Sequence, residues 1–185
     1  MLHWWIKRRI AAFERAYNYD MSYARELLEI DREAFMTFSK VMGLSQYCKD
    51  LPKPAWMAAK LVGTMTEDCG PCTQLVVTMA EREGGMSPES IRAILERNPQ
   101  AMPDDVALGF RFAEAVLAHA PEADALRDQI VAQWGRRALI SLGFALTSAR
   151  MYPTLKYAMG SGKACTRVSV GGTFVPVTQV HTHVV

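Results

Sequence analysis

Apolar residues recur at intervals of three and four along almost the whole chain, the spacing of α-helices that bury one face. Ile6, Ile10, Phe13 and Tyr17 form one stripe. Leu27, Leu28, Phe35, Phe38 and Met42 form a second that stops at Gly43, a residue type that commonly terminates helices. A third helix is predicted to open near Pro54, which suits a first helical turn, and to run through Trp56, Leu61 and Val62 towards Met65. A fourth covers Cys72 to Glu83 and ends at Gly84-Gly85. Ser87-Pro88-Glu89 supplies an N-cap, a first-turn proline and an acidic residue that favours the helix dipole, opening a helix that closes at Asn98-Pro99. Asp104 or Asp105 opens the next, which carries Phe110, Ala113, Val116 and Leu117. Pro121 separates it from a helix over Glu122 to Trp134. Arg136 to Arg150 reads as the most hydrophobic helix, and Pro153 is expected to break it.

The pattern changes only in the tail. Val168, Val170, Phe174, Val175, Val177 and Val180 are strand formers around Gly171-Gly172, a pair that suits a two-residue hairpin turn, and Pro176 fits an edge. An isolated hairpin is marginally stable, so this one is expected to pack on the helical body or on a neighbouring subunit. The fold class is therefore all-α, a helical bundle with a short C-terminal β-hairpin-like tail.

Composition narrows the function classes. A chain of 185 residues, half of them hydrophobic and 22% charged, has the make-up of one folded unit and excludes a disordered or low-complexity protein. Lys and Arg total 21 against 19 for Asp and Glu, and they are scattered, which leaves no electrostatic footprint for nucleic acid. The longest apolar stretch, Ala138 to Ala149, is interrupted by Ser141, Gly143, Thr147 and Ser148 and falls short of the ~20 residues that span a bilayer. The first ten residues have no apolar run of signal-peptide length, so no membrane partner and a cytoplasmic location are expected.

Two of the four cysteines lie in Glu67-Asp68-Cys69-Gly70-Pro71-Cys72. A Cys-x-x-Cys at the mouth of a helix lets the sulfurs close a short disulfide ring, and the unpaired N–H groups of the first turn stabilise a thiolate. Two alternatives are bland packing of small cysteines and a zinc site. Zinc would need a second Cys or His pair, and Cys48, Cys165 and the histidines supply none. No metal or cofactor is expected. Thioredoxins share the Cys-Gly-Pro-Cys tetrapeptide but place it after a β-strand, whereas Ala55 to Thr66 reads as helix.

The helical context resembles the AhpD-like, carboxymuconolactone decarboxylase superfamily, from about Phe35 to Cys165. The likeness rests on Lys60-Leu61-Val62 ahead of the cysteines, on Cys69 and Cys72, on Asp104-Asp105-Val106 through Phe112-Ala113 as the helix after an acidic turn, and on the apolar run Leu139 to Ser148. The resemblance implies a helical core over residues 35–165, with an N-terminal helical extension over 1–34 and a strand-like tail over 166–185. It also implies a homo-oligomer, a trimer or hexamer, and a dithiol that reduces peroxides or disulfides with electrons from a thiol donor. Redox-active members usually carry a His four residues after the second cysteine and a Glu about twelve before the first. Here those places hold Val76 and Met57, so that relay does not carry over. Glu67 and Asp68 stand next to Cys69 as replacement proton acceptors, although a nearby negative charge also disfavours a thiolate.

Two functional readings follow: a dithiol–disulfide oxidoreductase in which Cys69, Cys72, Glu67 and Asp68 are the site residues, or a redox-inactive relative that binds or assembles, or acts without cofactor on a lactone-like acid. His119 reads as a helix-end imidazole. His181 and His183 share one face of the tail without a third ligand, and Cys165 beside a Gly-rich stretch reads as packing.

Overall fold

The computed structural model describes residues 2–164 and 167–178. In chain order the helices are α1 (Leu2–Tyr17), α2 (Ser22–Ile30), α3 (Arg32–Ser39), α4 (Val41–Gln46), α5 (Lys53–Thr66), α6 (Gly70–Arg82), α7 (Pro88–Leu95), α8 (Asp104–Leu117), α9 (Glu122–Trp134) and α10 (Arg136–Ala158). A 3₁₀ turn covers Pro99–Ala101, and strands β1 (Arg167–Val170) and β2 (Thr173–Pro176) follow α10. The chain is mostly helical and ends its described part in a hairpin, as the periodicity predicts.

Local chemistry explains most boundaries. Pro54 sits in the first turn of α5 and Pro71 in that of α6. Ser87 caps α7 by accepting a hydrogen bond from the Ser90 amide. Gly171 and Gly172 take φ of 58° and 80°, the positive values that a tight hairpin turn requires, and Val168 pairs with Val175 across the ladder. Val168, Val170, Val175 and Val177 are buried. They face the helical body, where β1 lies on α6 and both strands contact α7.

Three boundaries differ from the sequence reading. The second stripe is divided among α2, α3 and α4, because Asp31 is extended and caps α3 through the Glu33 amide, and Gly43 lies inside α4 rather than ending it. Helix α6 opens at Gly70, two residues ahead of Cys72. Helix α10 continues past Pro153 to Ala158. Proline removes one i to i−4 bond, here to the Ala149 carbonyl, but Pro153 and Lys156 are buried and the packing of this last stretch holds it helical.

Helix α5 is the centre of the molecule: every residue from Ala55 to Met65 is buried. It packs against α8, α10, α6 and α7. The approach of α8 is close enough that a Cβ added at Gly109 would lie 2.6 Å from the Ala55 carbonyl oxygen. A second, smaller cluster joins Tyr19, Tyr23 and Ala24 to Phe13, Phe35, Phe38 and Leu75, and seats the N-terminal helices on α6.

The α5–α8 contact is tested by Gly109→Ala. Alanine gains up to ~1 kcal/mol of helix propensity, but the methyl meets backbone that cannot rotate away, and overpacking typically costs ~1–3 kcal/mol. A net loss of stability is expected in urea titration, with Tm falling by about 2–4 °C for each kcal/mol.

Candidate functional site

The turn from α5 into α6 builds the cysteine pair. Asp68 takes a φ of 48°, a left-handed conformation that Asp tolerates better than most residues, and reverses the chain after Glu67. Cys69 is extended at the N-cap of α6, and its carbonyl accepts the first helical bond from the Thr73 amide at 2.9 Å and a second from the Thr73 hydroxyl at 3.0 Å. Cys72 falls in the first turn, where the positive end of the helix dipole lies. The two residues have Cα atoms 5.3 Å apart and are joined as a disulfide. Both are buried, Cys69 at 0% exposure and Cys72 at 3%.

The chain that leaves α10 closes over this turn. The amide of Ser161 bonds the Lys156 carbonyl at 2.7 Å and that of Gly160 bonds the Tyr157 carbonyl at 3.0 Å, a Schellman ending that turns the chain back. Lys163 then presents its carbonyl to the Gly70 amide, between the cysteines, at 2.9 Å. The Tyr157 hydroxyl donates to the Asp68 carbonyl at 2.8 Å. One turn of helix further on, Gln74 bonds both the carbonyl and the amide of Ser169, at 3.0 and 2.7 Å, and so fastens the hairpin to the helix that carries the cysteines.

A chain of polar groups ends at Cys72. Lys156 Nζ donates to the Tyr19 hydroxyl oxygen at 3.2 Å, and that hydroxyl lies 3.7 Å from Cys72 Sγ. Tyr23 packs in the same buried cluster as Tyr19. Lys156, Tyr19 and Tyr23 are 3%, 6% and 3% exposed, and the ammonium also sits 4.8 Å from the Tyr19 ring centre and 5.3 Å from that of Tyr23. Burial pushes the Tyr19 and Tyr23 hydroxyls far above the phenol range and Tyr152 up to about 12, so all three keep their protons. Burial pulls Lys156 below the usual lysine value, while Asp20 works in the other direction.

The sequence-predicted residues divide. Cys69 and Cys72 are brought together. The Glu67 carboxylate is held by Arg150 Nε at 2.5 Å and by the Thr154 hydroxyl at 3.3 Å, an ion pair with α10. Asp68 contributes the turn and a carbonyl acceptor. Val76 and Met57 belong to the hydrophobic core. Cys48 is half-buried, and burial pushes its thiol up. His119, at a φ of 52°, follows the end of α8. Cys165, His181 and His183 lie outside the described residues.

Sequence reasoning missed Tyr19, Tyr23 and Lys156. The two tyrosines lie outside residues 35–165, the core expected from the sequence, and Lys156 lies beyond the proline expected to end its helix.

A second buried cation lies on α5. Lys60, 5% exposed, donates to the Ser45 carbonyl at 2.6 Å and the Ser45 hydroxyl at 3.2 Å, with its Nζ 3.7 Å from the Trp56 ring centre. Burial lowers its pKa from 10.5 to about 8, against an opposing pull from Glu83.

The fold and site define a mostly helical protein with a short β-hairpin and a buried Cys-x-x-Cys disulfide at a helix start. Comparison of the chain with protein-family models, with curated proteins and with solved structures finds no match in any of the three.

Lys60 gives stability a pH dependence of known sign. The folded chain releases this proton near pH 8 and the unfolded chain near 10.5, so between them the unfolded state binds more protons and stability rises with pH. The full effect is roughly 3 kcal/mol, at 1.36 kcal/mol per pKa unit, and most of it falls between pH 7 and 10. Urea titrations of wild type and Lys60→Met from pH 7 to 10 should differ by this rise, which the methionine variant lacks.

Proposed function

We propose that the protein is a dithiol–disulfide oxidoreductase that works through Cys69 and Cys72. The observation that carries the reading is the cysteine pair joined across the N-terminus of α6, with the second sulfur at the end of a buried tyrosine–lysine chain. Helical architecture on both sides of the pair supports the AhpD-like resemblance and separates this site from a thioredoxin-type one.

The chemistry balances as a two-electron exchange. With a disulfide R–S–S–R, the reduced pair becomes the Cys69–Cys72 disulfide and two RSH leave. With a peroxide ROOH, one thiolate takes the distal oxygen as a sulfenic acid and ROH leaves, and then the second thiol condenses with it and releases water. A thiol donor of the cytoplasm returns the two electrons. Both sulfurs are buried, which favours a peroxide or a small disulfide over a disulfide on the surface of a folded protein.

The reading includes a homo-oligomer, a trimer or hexamer. Ile140, Phe144 and Met151, at helical spacing on α10, are among its exposed large apolar residues, as are Trp4 and Trp5 on α1. The rival reading, a redox-inactive binding or assembly protein, draws on the core positions of Val76 and Met57, where the family's redox-active members place ionisable groups.

Alkylation followed by mass analysis in glutathione buffers tests the dithiol directly. Cys69 and Cys72 are expected to lose alkylation together on oxidation and to regain it with dithiothreitol, while Cys48 stays alkylatable. Peroxide consumption with a dithiol donor should be abolished by Cys69→Ser and by Cys72→Ser. A pair that stays fully alkylatable in excess oxidised glutathione refutes the reading.

Light scattering at micromolar concentration tests assembly. A mass of three or six chains is expected, and a monomer of 20.6 kDa would remove it.

A further inference from the structure

The dithiol reading leaves open which sulfur carries the charge, and the polar chain answers it. Lys156 has only donors, so its bond to Tyr19 ends on the phenol oxygen. In the disulfide Cys72 Sγ carries no hydrogen, so in the contact between the two only the Tyr19 hydroxyl can donate. The one hydrogen that Tyr19 owns is then left to point along the 3.7 Å contact to Cys72 Sγ. Lys156 thus polarises a hydroxyl whose proton is directed at the sulfur, and such an array favours a negative charge there.

We infer that Lys156 and Tyr19 form a donor chain that stabilises the thiolate of Cys72 and makes it the attacking sulfur of the pair, in place of the His and Glu relay that Val76 and Met57 do not supply. This inference rests on the dithiol reading for its chemistry and on the geometry alone for the charge on Cys72. Tyr19 touches the reacting atom, and Lys156 is a positioning residue that acts through it. The proton of the Cys72 thiol leaves to solvent base, and Tyr19 keeps its own. In the exchange step Cys72 S⁻ attacks one sulfur of R–S–S–R, forming a mixed disulfide as RS⁻ departs. Cys69, deprotonated in turn, attacks Cys72 and expels the second RS⁻. Two electrons pass from the pair to the substrate.

The charged and titratable groups around the chain come from three segments. Tyr152 and Lys156 are on α10, Tyr19, Asp20 and Tyr23 lie between α1 and the first turn of α2, and Lys163 follows α10. Asp20 favours the Lys156 ammonium and Lys163 opposes it. Burial of Cys72 opposes the thiolate, while the donor chain and the start of α6 favour it.

The test is the titration of Cys72 in the reduced Cys69→Ser protein, followed by the ¹³Cβ shift of labelled cysteine, which needs no reagent to reach the buried sulfur. The midpoint is expected below the free thiol value of ~8.5 and to rise by about one pH unit in Tyr19→Phe and in Lys156→Met. The double variant should rise no further than the larger single effect, because the two residues act through one contact. Replacing all tyrosines with 3-fluorotyrosine, nearly isosteric but a stronger donor, should lower the midpoint and keeps the test decisive if Tyr19→Phe does not fold. A parent midpoint at or above ~8.5, one unmoved by both Tyr19→Phe and Lys156→Met, or one insensitive to fluorotyrosine overturns the inference. Glutathione titration of the wild-type pair separates the two claims: a pair that never oxidises sinks the oxidoreductase reading while the Cys72 midpoint still reports on the donor chain.

Discussion

The structure depends on a helix that has no outward face. Helix α5 is buried without a break from Ala55 to Met65, so its partners are placed by what they must cover rather than by their own sequence preferences. Small residues set the spacing: the Gly109 backbone meets α5 at a distance that leaves no room for a side-chain carbon. Full enclosure also explains Lys60. A lysine on this helix has no water to reach, and it survives there by donating to Ser45 and lying against Trp56, at the cost of a depressed pKa.

The same constraint positions the cysteines. Where α5 ends, the chain must reverse at once to lay α6 beside it, and Asp68 in the left-handed region makes that reversal in one residue. Cys69 follows as an extended N-cap and Cys72 as a first-turn residue, so the spacing of the motif and the geometry of a helix start coincide. The disulfide ring is thus formed by local backbone, whereas its surroundings come from far along the chain.

That division decides what could be read from the sequence. The helices, their starts near Pro54, Ser87 and Pro121, the glycine turn of the hairpin and the cysteine pair are local features, fixed by residues within a few positions of one another. The split of Leu27 to Met42 into three helices was hidden because one apolar stripe can run across a break when the segments pack on the same surface. Pro153 misled for a related reason: a proline's local cost of ~3 kcal/mol ends an isolated helix, but burial of the final turns of α10 outweighs it. The cost of stopping the helix there was Lys156, which then had no predicted place beside the cysteines. Glu67 shows the opposite limit. Adjacency in sequence to Cys69 suggested a proton acceptor, yet a side chain one turn away from the helix start reaches Arg150 and Thr154 on α10.

The surroundings of Cys72 come from segments far from it along the chain. Tyr19 and Tyr23 come from the N-terminal helices, which hold to α6 through the Phe13 and Leu75 cluster, the bond from Arg82 to the Ala16 carbonyl at 2.6 Å and the contact of Tyr17 with Glu83. Lys156 comes from the last turn of α10, whose continuation also brings the Lys163 carbonyl onto Gly70. A buried polar chain is stable only when every member is satisfied, since an orphaned lysine or hydroxyl costs more than its bond returns. The polar chain from Lys156 through Tyr19 to Cys72 is therefore complete only when the N-terminal helices are docked and α10 is formed to its end. The N-terminal segment and the last turns of α10 together give the cysteines their particular environment.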